Sequence, residues 1–374
     1  MTARATHAKA IIDRLHTAAA ELKSPVTFME VCGTHTVSAF RSGLHSLTPP
    51  NVKLLSGPGC PVCVTSQGDI DLMLSVAALP RVTLCTYGDM LRVPGAGGTL
   101  EQARGRGAQV RIVYSTMDAV KLAAQEPQRQ VVMAAIGFET TTPPTAIAIL
   151  EARRQGLKNF SVVVSHKQVM PAIRALLDGG KVNLNGFMCP GHVSVVIGSE
   201  AYRPVPEKYG LSCVICGFED IQIAEGLARL VELVRDGPPE LVNLYPQAVT
   251  PQGNKAAQAV IAQVFEPADV VWRGVGCIPQ SGLKLRAEFE SFDAQKRFSL
   301  SAPDSPEPAG CRCGEVITGL CTPADCKLFG TQCTPIHPIG PCMVSSEGTC
   351  QAWFKYNRVQ SSKFRVQRKR EVVA

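Results

Sequence analysis

The sequence predicts an α/β protein built on parallel sheets, with a smaller cysteine-rich region toward its carboxyl end. Three observations carry this. From Pro25 onward, short β-rich apolar runs alternate with Gly/Pro/Thr-rich turns and helical patterns, the cadence of right-handed crossover units. Most of the apolar runs lack polar alternation, as strands covered on both faces do. Seven of the fifteen cysteines fall between Cys311 and Cys350, which sets that segment apart.

The elements follow in order. Residues 1–22 have helical composition and can pack with either end of the chain. Strands are expected at Val26–Val31, Val52–Leu55, Val82–Tyr87, Val110–Tyr114, Val131–Ile136, Ser161–Val164 and Cys213–Cys216, with one more ahead of Cys189-Pro-Gly-His-Val-Ser194. Helical patterns cover Ile70–Leu79, Ala119–Gln125, Pro144–Gln155, Val169–Leu177, Ile221–Arg235 and Ala256–Phe265. Two α/β domains are therefore expected, over residues 26–125 and 126–270. The Pro/Ser-rich stretch Ser301–Gly310 links them to the cysteine-rich segment, so residues 271–356, with the helix of residues 1–25, form the third domain. Gly-Phe-Glu occurs twice at a strand end, at Gly137–Glu139 and Gly217–Glu219, as if marking two edges of one domain.

A chain of 374 residues, 45% apolar and 18% charged, has material for two or three cores. No apolar run approaches the roughly 18–20 residues of a membrane span, and the N-terminus lacks the pattern of a signal peptide. No membrane role and a cytoplasmic location are expected. The net charge of +7 is concentrated at the end: Lys355–Ala374 holds seven basic residues and one acidic residue, a net +6. That basic tail, residues 357–374 in the main, reads as a solvated terminus rather than a nucleic-acid site.

In parallel α/β folds ligands bind beyond the carboxyl ends of strands, and the unusual motifs sit there. Without a secretory context, fifteen cysteines point to metal or redox chemistry. Cys326, Cys333, Cys342 and Cys350 are widely spaced by proline-containing loops and lack the tight knuckles of structural zinc sites. Four thiolates so arranged suit a [4Fe–4S] cluster better than zinc; Cys313 is an alternative ligand to one of the four. Cys60-Pro-Val-Cys63 lies between a strand and a helix, where the helix dipole and free amides favour a thiolate for disulfide exchange or metal ligation. Cys32 and His35 read as a nucleophile with its base, or as two metal ligands. His192 reads as a ligand, proton donor or hydrogen-bond orienter. Glu139 with Thr140–Thr142 suits anion binding at a helix N-terminus, or simple capping with Pro143 in the first turn. Cys213 and Cys216 read as buried packing. P-loop, dinucleotide and Gly-x-Ser-x-Gly signatures are absent.

Glu30-Val-Cys-Gly-Thr-His-Thr36, Gly57-Pro-Gly-Cys-Pro-Val-Cys-Val64, Gly137-Phe-Glu-Thr-Thr-Thr-Pro143, Pro190-Gly-His-Val-Ser194 and Gly340-Pro-Cys-Met-Val-Ser-Ser-Glu-Gly348 resemble, in order, the motifs of the HypD family of [NiFe]-hydrogenase maturation proteins. The resemblance spans about residues 8–356 and leaves out the basic tail; Cys311 and Cys321 are extra to the usual pattern. It implies two Rossmann-like α/β domains and a domain carrying a [4Fe–4S] cluster. It also implies a function: with the partner HypC, to assemble an Fe(CN)2CO unit for the hydrogenase, with HypE supplying cyanide. Motif matching makes Cys32 the cysteine expected to hold that iron and Cys60/Cys63 the redox-active pair. On this view the cluster of Cys326, Cys333, Cys342 and Cys350 reduces Cys60–Cys63, and His35, Glu139 and His192 handle protons or hydrogen-bond cyanide. Such a protein is a redox-active assembly scaffold rather than a conventional turnover enzyme. The alternative reading is an iron–sulfur-dependent disulfide reductase of a protein partner; a structural zinc protein is the third.

Overall fold

The computed structural model describes residues 3–356; the basic tail lies outside them. Their strands are β1 (Val26–Glu30), β2 (Val52–Ser56), β3 (Val82–Thr86), β4 (Gln109–Ile112), β5 (Gln130–Gly137), β6 (Phe160–His166), β7 (Gly186–Pro190), β8 (Ser212–Cys216), β9 (Leu241–Asn243), β10 (Phe265–Trp272) and β11 (Gly276–Leu285). Two parallel sheets are present, one in the order β2-β1-β7-β8-β9 and one in the order β4-β3-β5-β6. The apolar runs became strands because both faces are covered: every residue of β3, β7 and β8 is buried. The α/β class with two Rossmann-like sheets is as expected.

The division of the chain differs from the sequence expectation. β1 pairs with β2 on one side and on the other not with β3 but with β7, more than a hundred residues downstream, through registers such as Phe28 with Gly186. The first sheet thus takes strands from both expected units, 26–125 and 126–270, and the second sheet is inserted between them. A strand–helix–strand cadence is the same whether the next strand joins the old sheet or starts another, so local pattern could not reveal this. The two Gly-Phe-Glu turns correspondingly end interior strands of two different sheets, β5 and β8.

The boundary at residue 270 falls inside the antiparallel hairpin β10–β11, which bridges to the second sheet through Lys167 and Gly282. The N-terminal helix Ala3–Ala20 does not join the cysteine-rich domain. Its stripe Ile11, Leu15, Ala18 and Ala19 is buried in the core of the first sheet with Leu227, Leu230 and Val231 of the helix Asp220–Asp236. Arg14 fixes the pairing with hydrogen bonds to Glu225 and Glu232. An i, i+4, i+7, i+8 stripe needs one apolar surface to lie on, and that helix supplies it. Among the described residues, no helix is long and apolar enough to cross a membrane.

Candidate functional site

Two loops leave the carboxyl edge of the first sheet and converge with a third from the cysteine-rich segment. Cys32 ends β1 as the N-cap residue of the helix Gly33–Arg41. Cys60 follows β2 as the N-cap of the short helix Pro61–Val64, and its sulfur accepts from the Cys63 N–H at 3.1 Å. Cys60 and Cys63 form a disulfide. The two loops are in backbone contact: Gly33 N–H donates to Gly59 O at 3.1 Å and Gly57 N–H to Glu30 O at 2.7 Å. A Cβ on Gly59 would lie 2.1 Å from Cys32 N and 2.3 Å from Cys32 Cα. Only glycine permits that approach, which sets the disulfide turn directly against the Cys32 backbone.

The third loop is from the far end of the sequence. Glu347 packs on Gly33, where a Cβ would meet the Glu347 Cβ at 2.5 Å. Its carboxylate accepts from Thr34 Oγ1 at 2.8 Å. The neighbouring Ser345 and Ser346 hydrogen-bond Asp89, beyond β3 of the second sheet. One serine-glutamate turn therefore ties Cys32 to both sheets.

Electrostatically the buried surroundings of Cys32 favour an uncharged thiol. Cys32 is 8% exposed, and burial pushes its pKa up to about 12, with Glu347 and Glu30 adding to the rise and the His35 N–H opposing it. Burial likewise pushes Glu30 up to about 8, against hydrogen bonds from Thr36 and from the Cys32 N–H at 3.0 Å. A metal that displaces the thiol proton would overcome this resistance.

His35 does not aim at the Cys32 sulfur. Its Nε2–H donates to Gly217 O at 2.9 Å, and Cys216 Sγ lies 3.7 Å from the same nitrogen. Burial lowers its pKa to about 4, so the ring is neutral. His192 is exposed and stacks on Phe218 at 3.7 Å between centroids, and Phe218 also touches His35 at 4.9 Å. The first Gly-Phe-Glu motif is set apart from this group. Glu139 Oε1 accepts the Val169 N–H at 2.9 Å, at the start of the helix Val169–Asp178, while its Oε2 is buried without a partner. Burial raises it to about 7. The Thr140–Thr141 end of the same loop lines an open cleft of about 570 Å³ with Pro61, Val62, Tyr87 and Glu347.

The cysteines expected to hold a cluster do come together. Cys326, Cys333, Cys342 and Cys350, with Cys311 and Cys313, line one small apolar cavity. Cys350 N–H donates to Cys342 Sγ at 3.2 Å and Ile339 N–H to Cys333 Sγ at 3.3 Å, the kind of amide–sulfur bond that tunes iron–sulfur centres. Among the described residues no three cysteine, histidine or carboxylate side chains converge as they would on one ion; the thiols are spread round the cavity wall. Soft donors, apolar walls and amide-bonded sulfurs fit a cuboidal cluster. The cavity adjoins the disulfide: the helix Pro61–Val64 packs on the turns Cys313–Ile317 and Pro341–Val344. Cys213 and Cys216 are buried in β8, with Cys216 facing His35. Glu30 and Glu347 were not singled out in the sequence. Their signal was position: Glu30 is two residues before Cys32, and Glu347 falls within a recognised motif.

Comparison with known proteins gives the same direction. A family profile described as "HypD: Hydrogenase formation hypA family" matches residues 6–357. The hydrogenase maturation factor HypD of Azotobacter vinelandii is 48% identical over 348 residues, 91% of this chain and 92% of the relative. That of Rhizobium leguminosarum bv. viciae is 44% identical over 369 residues, 96% of each chain. That of Escherichia coli K12 is 43% identical over 338 residues, 90% of this chain and 91% of the relative. With the profile spanning nearly the whole sequence, the chain belongs to the HypD family of hydrogenase formation proteins.

Proposed function

We propose that this chain, with HypC, is the scaffold on which an Fe(CN)2CO unit is assembled, with cyanide accepted from HypE. The observation that carries the reading is the contact of Gly59 with Cys32, which brings a single thiol, a disulfide and a cysteine-lined cavity into one continuous packing unit. Cys32, joined by a thiolate of HypC, holds the iron as substrate; low-spin iron with strong-field ligands suits soft donors in a shielded site. Cys326, Cys333, Cys342 and Cys350 would hold the [4Fe–4S] cluster, with Cys313 available as an alternative, and a cluster held there would supply electrons one at a time from a low-potential one-electron donor.

The chain's own groups do the rest. Reduction by two electrons and one proton breaks the Cys60–Cys63 bond and gives a thiol–thiolate pair. Cyanide arriving as a thiocyanate is released when that pair closes again: its S–C bond breaks, the partner leaves as a thiol carrying the one proton, and cyanide anion is freed to the iron. The buried, largely protonated Glu30 fixes the Cys32 amide, and neutral His35 with Phe218 and His192 forms the wall on the opposite side.

The test is anaerobic co-expression with HypC and the cyanide donor, followed by infrared and electron-paramagnetic spectra. Cyanide and carbon monoxide bands should appear in the wild type. Cys32→Ala should lose them while keeping its cluster signal. A wild-type complex that holds its cluster and its partner yet shows no such bands would sink the reading in favour of a disulfide reductase.

A further inference from the structure

The turn between β10 and β11 sets a buried cation between the disulfide and the cysteine cavity. Arg273 is 1% exposed. Its N–H donates to Val64 O at 3.0 Å, its Nε to Thr65 O at 3.1 Å and its NH2 group to Gln67 Oε1 at 3.1 Å. All three acceptors come just after Cys63. Thr65 is also bridged to Trp272. On its other side the turn meets the cysteine-rich segment: a Cβ on Gly274 would lie 2.2 Å from Gly314 Cα, and one on Gly314 would lie 2.5 Å from Gly274 Cα. Gly314 follows Cys313, so a single turn touches both sulfur centres.

The charge is poorly compensated. Arg273 NH1 is buried with no hydrogen-bond partner, and the carboxylate facing it, Glu307 Oε2, is 3.8 Å away. Glu307 spends its other oxygen on the Gly274 N–H at 3.0 Å. A buried ion pair with an open donor is a poor source of stability, so its placement needs another account. Its place between the end of the Cys60–Cys63 helix and the turn that follows Cys313 gives one.

We infer that Arg273 is a positioning residue for electron transfer: its hydrogen bonds to Val64, Thr65 and Gln67 tie the turn that carries it to the end of the Cys60–Cys63 helix, Gly274 of the same turn seats it on Gly314, and its charge favours the reduced state of the sulfur centres on either side. Two electrons with one proton turn the disulfide into a thiol–thiolate pair, with the Cys63 N–H already donating to Cys60 Sγ, and one electron reduces a thiolate-bound cluster; each change adds one negative charge, which a fixed buried cation stabilises. The inference rests on the reading that Cys60–Cys63 cycles between the disulfide and this reduced pair.

The test uses the full chain, purified anaerobically with its iron. It is poised in mixtures of oxidised and reduced dithiothreitol, quenched by alkylation, and the peptide carrying Cys60 and Cys63 is read by mass spectrometry. The dithiol buffer supplies the two electrons and releases two protons, one taken up by the thiol–thiolate pair and one by the medium. Arg273→Gln should lower the equilibrium constant for reduction about tenfold, or about 30 mV. Arg273→Lys, which keeps the charge, should recover most of that loss. Glu307→Gln, which keeps an acceptor for the Gly274 N–H but removes the counter-charge, should shift the equilibrium the opposite way. A cooperatively melting, iron-loaded Arg273→Gln protein within twofold of wild type overturns the inference, as does a shift of the same sign in both variants. If Arg273→Gln does not fold, Glu307→Gln decides alone, and no shift overturns the inference. Infrared bands of the wild type report on iron–cyanide assembly separately, so the failure of that reading would not be mistaken for a failure of this one.

Discussion

The carboxyl edges of the two parallel sheets are built alike and used differently. Beyond the first sheet lie Cys32, the Cys60–Cys63 disulfide, His192 and Phe218, packed into one sulfur-rich site. Beyond the second, polar side chains mostly finish helices: Ser115 and Asp118 form a capping box, Thr142 Oγ1 donates to Phe138 O, and Glu139 meets the first N–H of a helix. The second edge contributes a wall of the cleft, but its carboxylate is turned away. Position at a strand end makes a site available; whether chemistry occupies it depends on which loops are drawn into contact.

The sharpest way to break this comparison is to add one methyl group on each side. Gly59→Ala forces a carbon into the Cys32 backbone, and overpacking of this kind costs roughly 1–3 kcal/mol. Thermal melts should register that loss, and the cyanide bands should fall at least tenfold. Gly88→Ala, at the end of β3 with nothing within 4 Å of its added carbon, should stay within about 0.5 kcal/mol of wild type and keep its bands. Equal damage from both would erase the distinction.

Glu139→Ala tests the second edge directly. It should cost about 1–2 kcal/mol as the helix loses its acceptor, while the infrared bands per folded protein stay within twofold. A loss of bands in a stable Glu139 variant would return this residue to the chemistry.

Smaller effects follow with pH. Burial raises Glu139 to about 7 from the usual 4.5, so its contribution to stability is fully present below pH 4.5 and is lost as pH rises through 7. Glu139→Gln should therefore gain on wild type in melts above pH 7. His166 behaves in the opposite sense. Burial lowers it to about 4 from 6.5, with Lys167 adding to the fall, and neither ring nitrogen has a partner. Its contribution is present above pH 6.5 and lost as pH falls through 4. His166→Phe, packed edge-on against Phe265 as the histidine is, should flatten the acid limb of the melting curve.

Much of this was legible in the residues. Strands such as Val82–Thr86 announce themselves by unbroken apolar runs, and cysteines announce their chemistry by type. What stayed hidden depends on partners distant in sequence. β10 carries Glu266, Pro267 and Asp269 and is exposed on one face, so nothing in its composition marks a strand; only its pairing with β11 makes it one. The helix Gly33–Arg41 opens with Gly-Thr-His-Thr-Val, poor helix formers held by tertiary contacts. Glu139 looked catalytic because its acceptor role serves a helix that starts thirty residues later. Arg273 is one basic residue among 38 lysines and arginines, and only its burial singles it out.

The insertion of one sheet within the other also fixes an order of events during synthesis. β3 through β6 can pair as they leave the ribosome, since their partners are near in sequence. β1 can pair with β2 early but must wait for β7 to extend the sheet, and the Cys32 loop gains its last neighbour only when Glu347 emerges. A nascent chain therefore completes the surroundings of Cys32 only when translation is nearly finished.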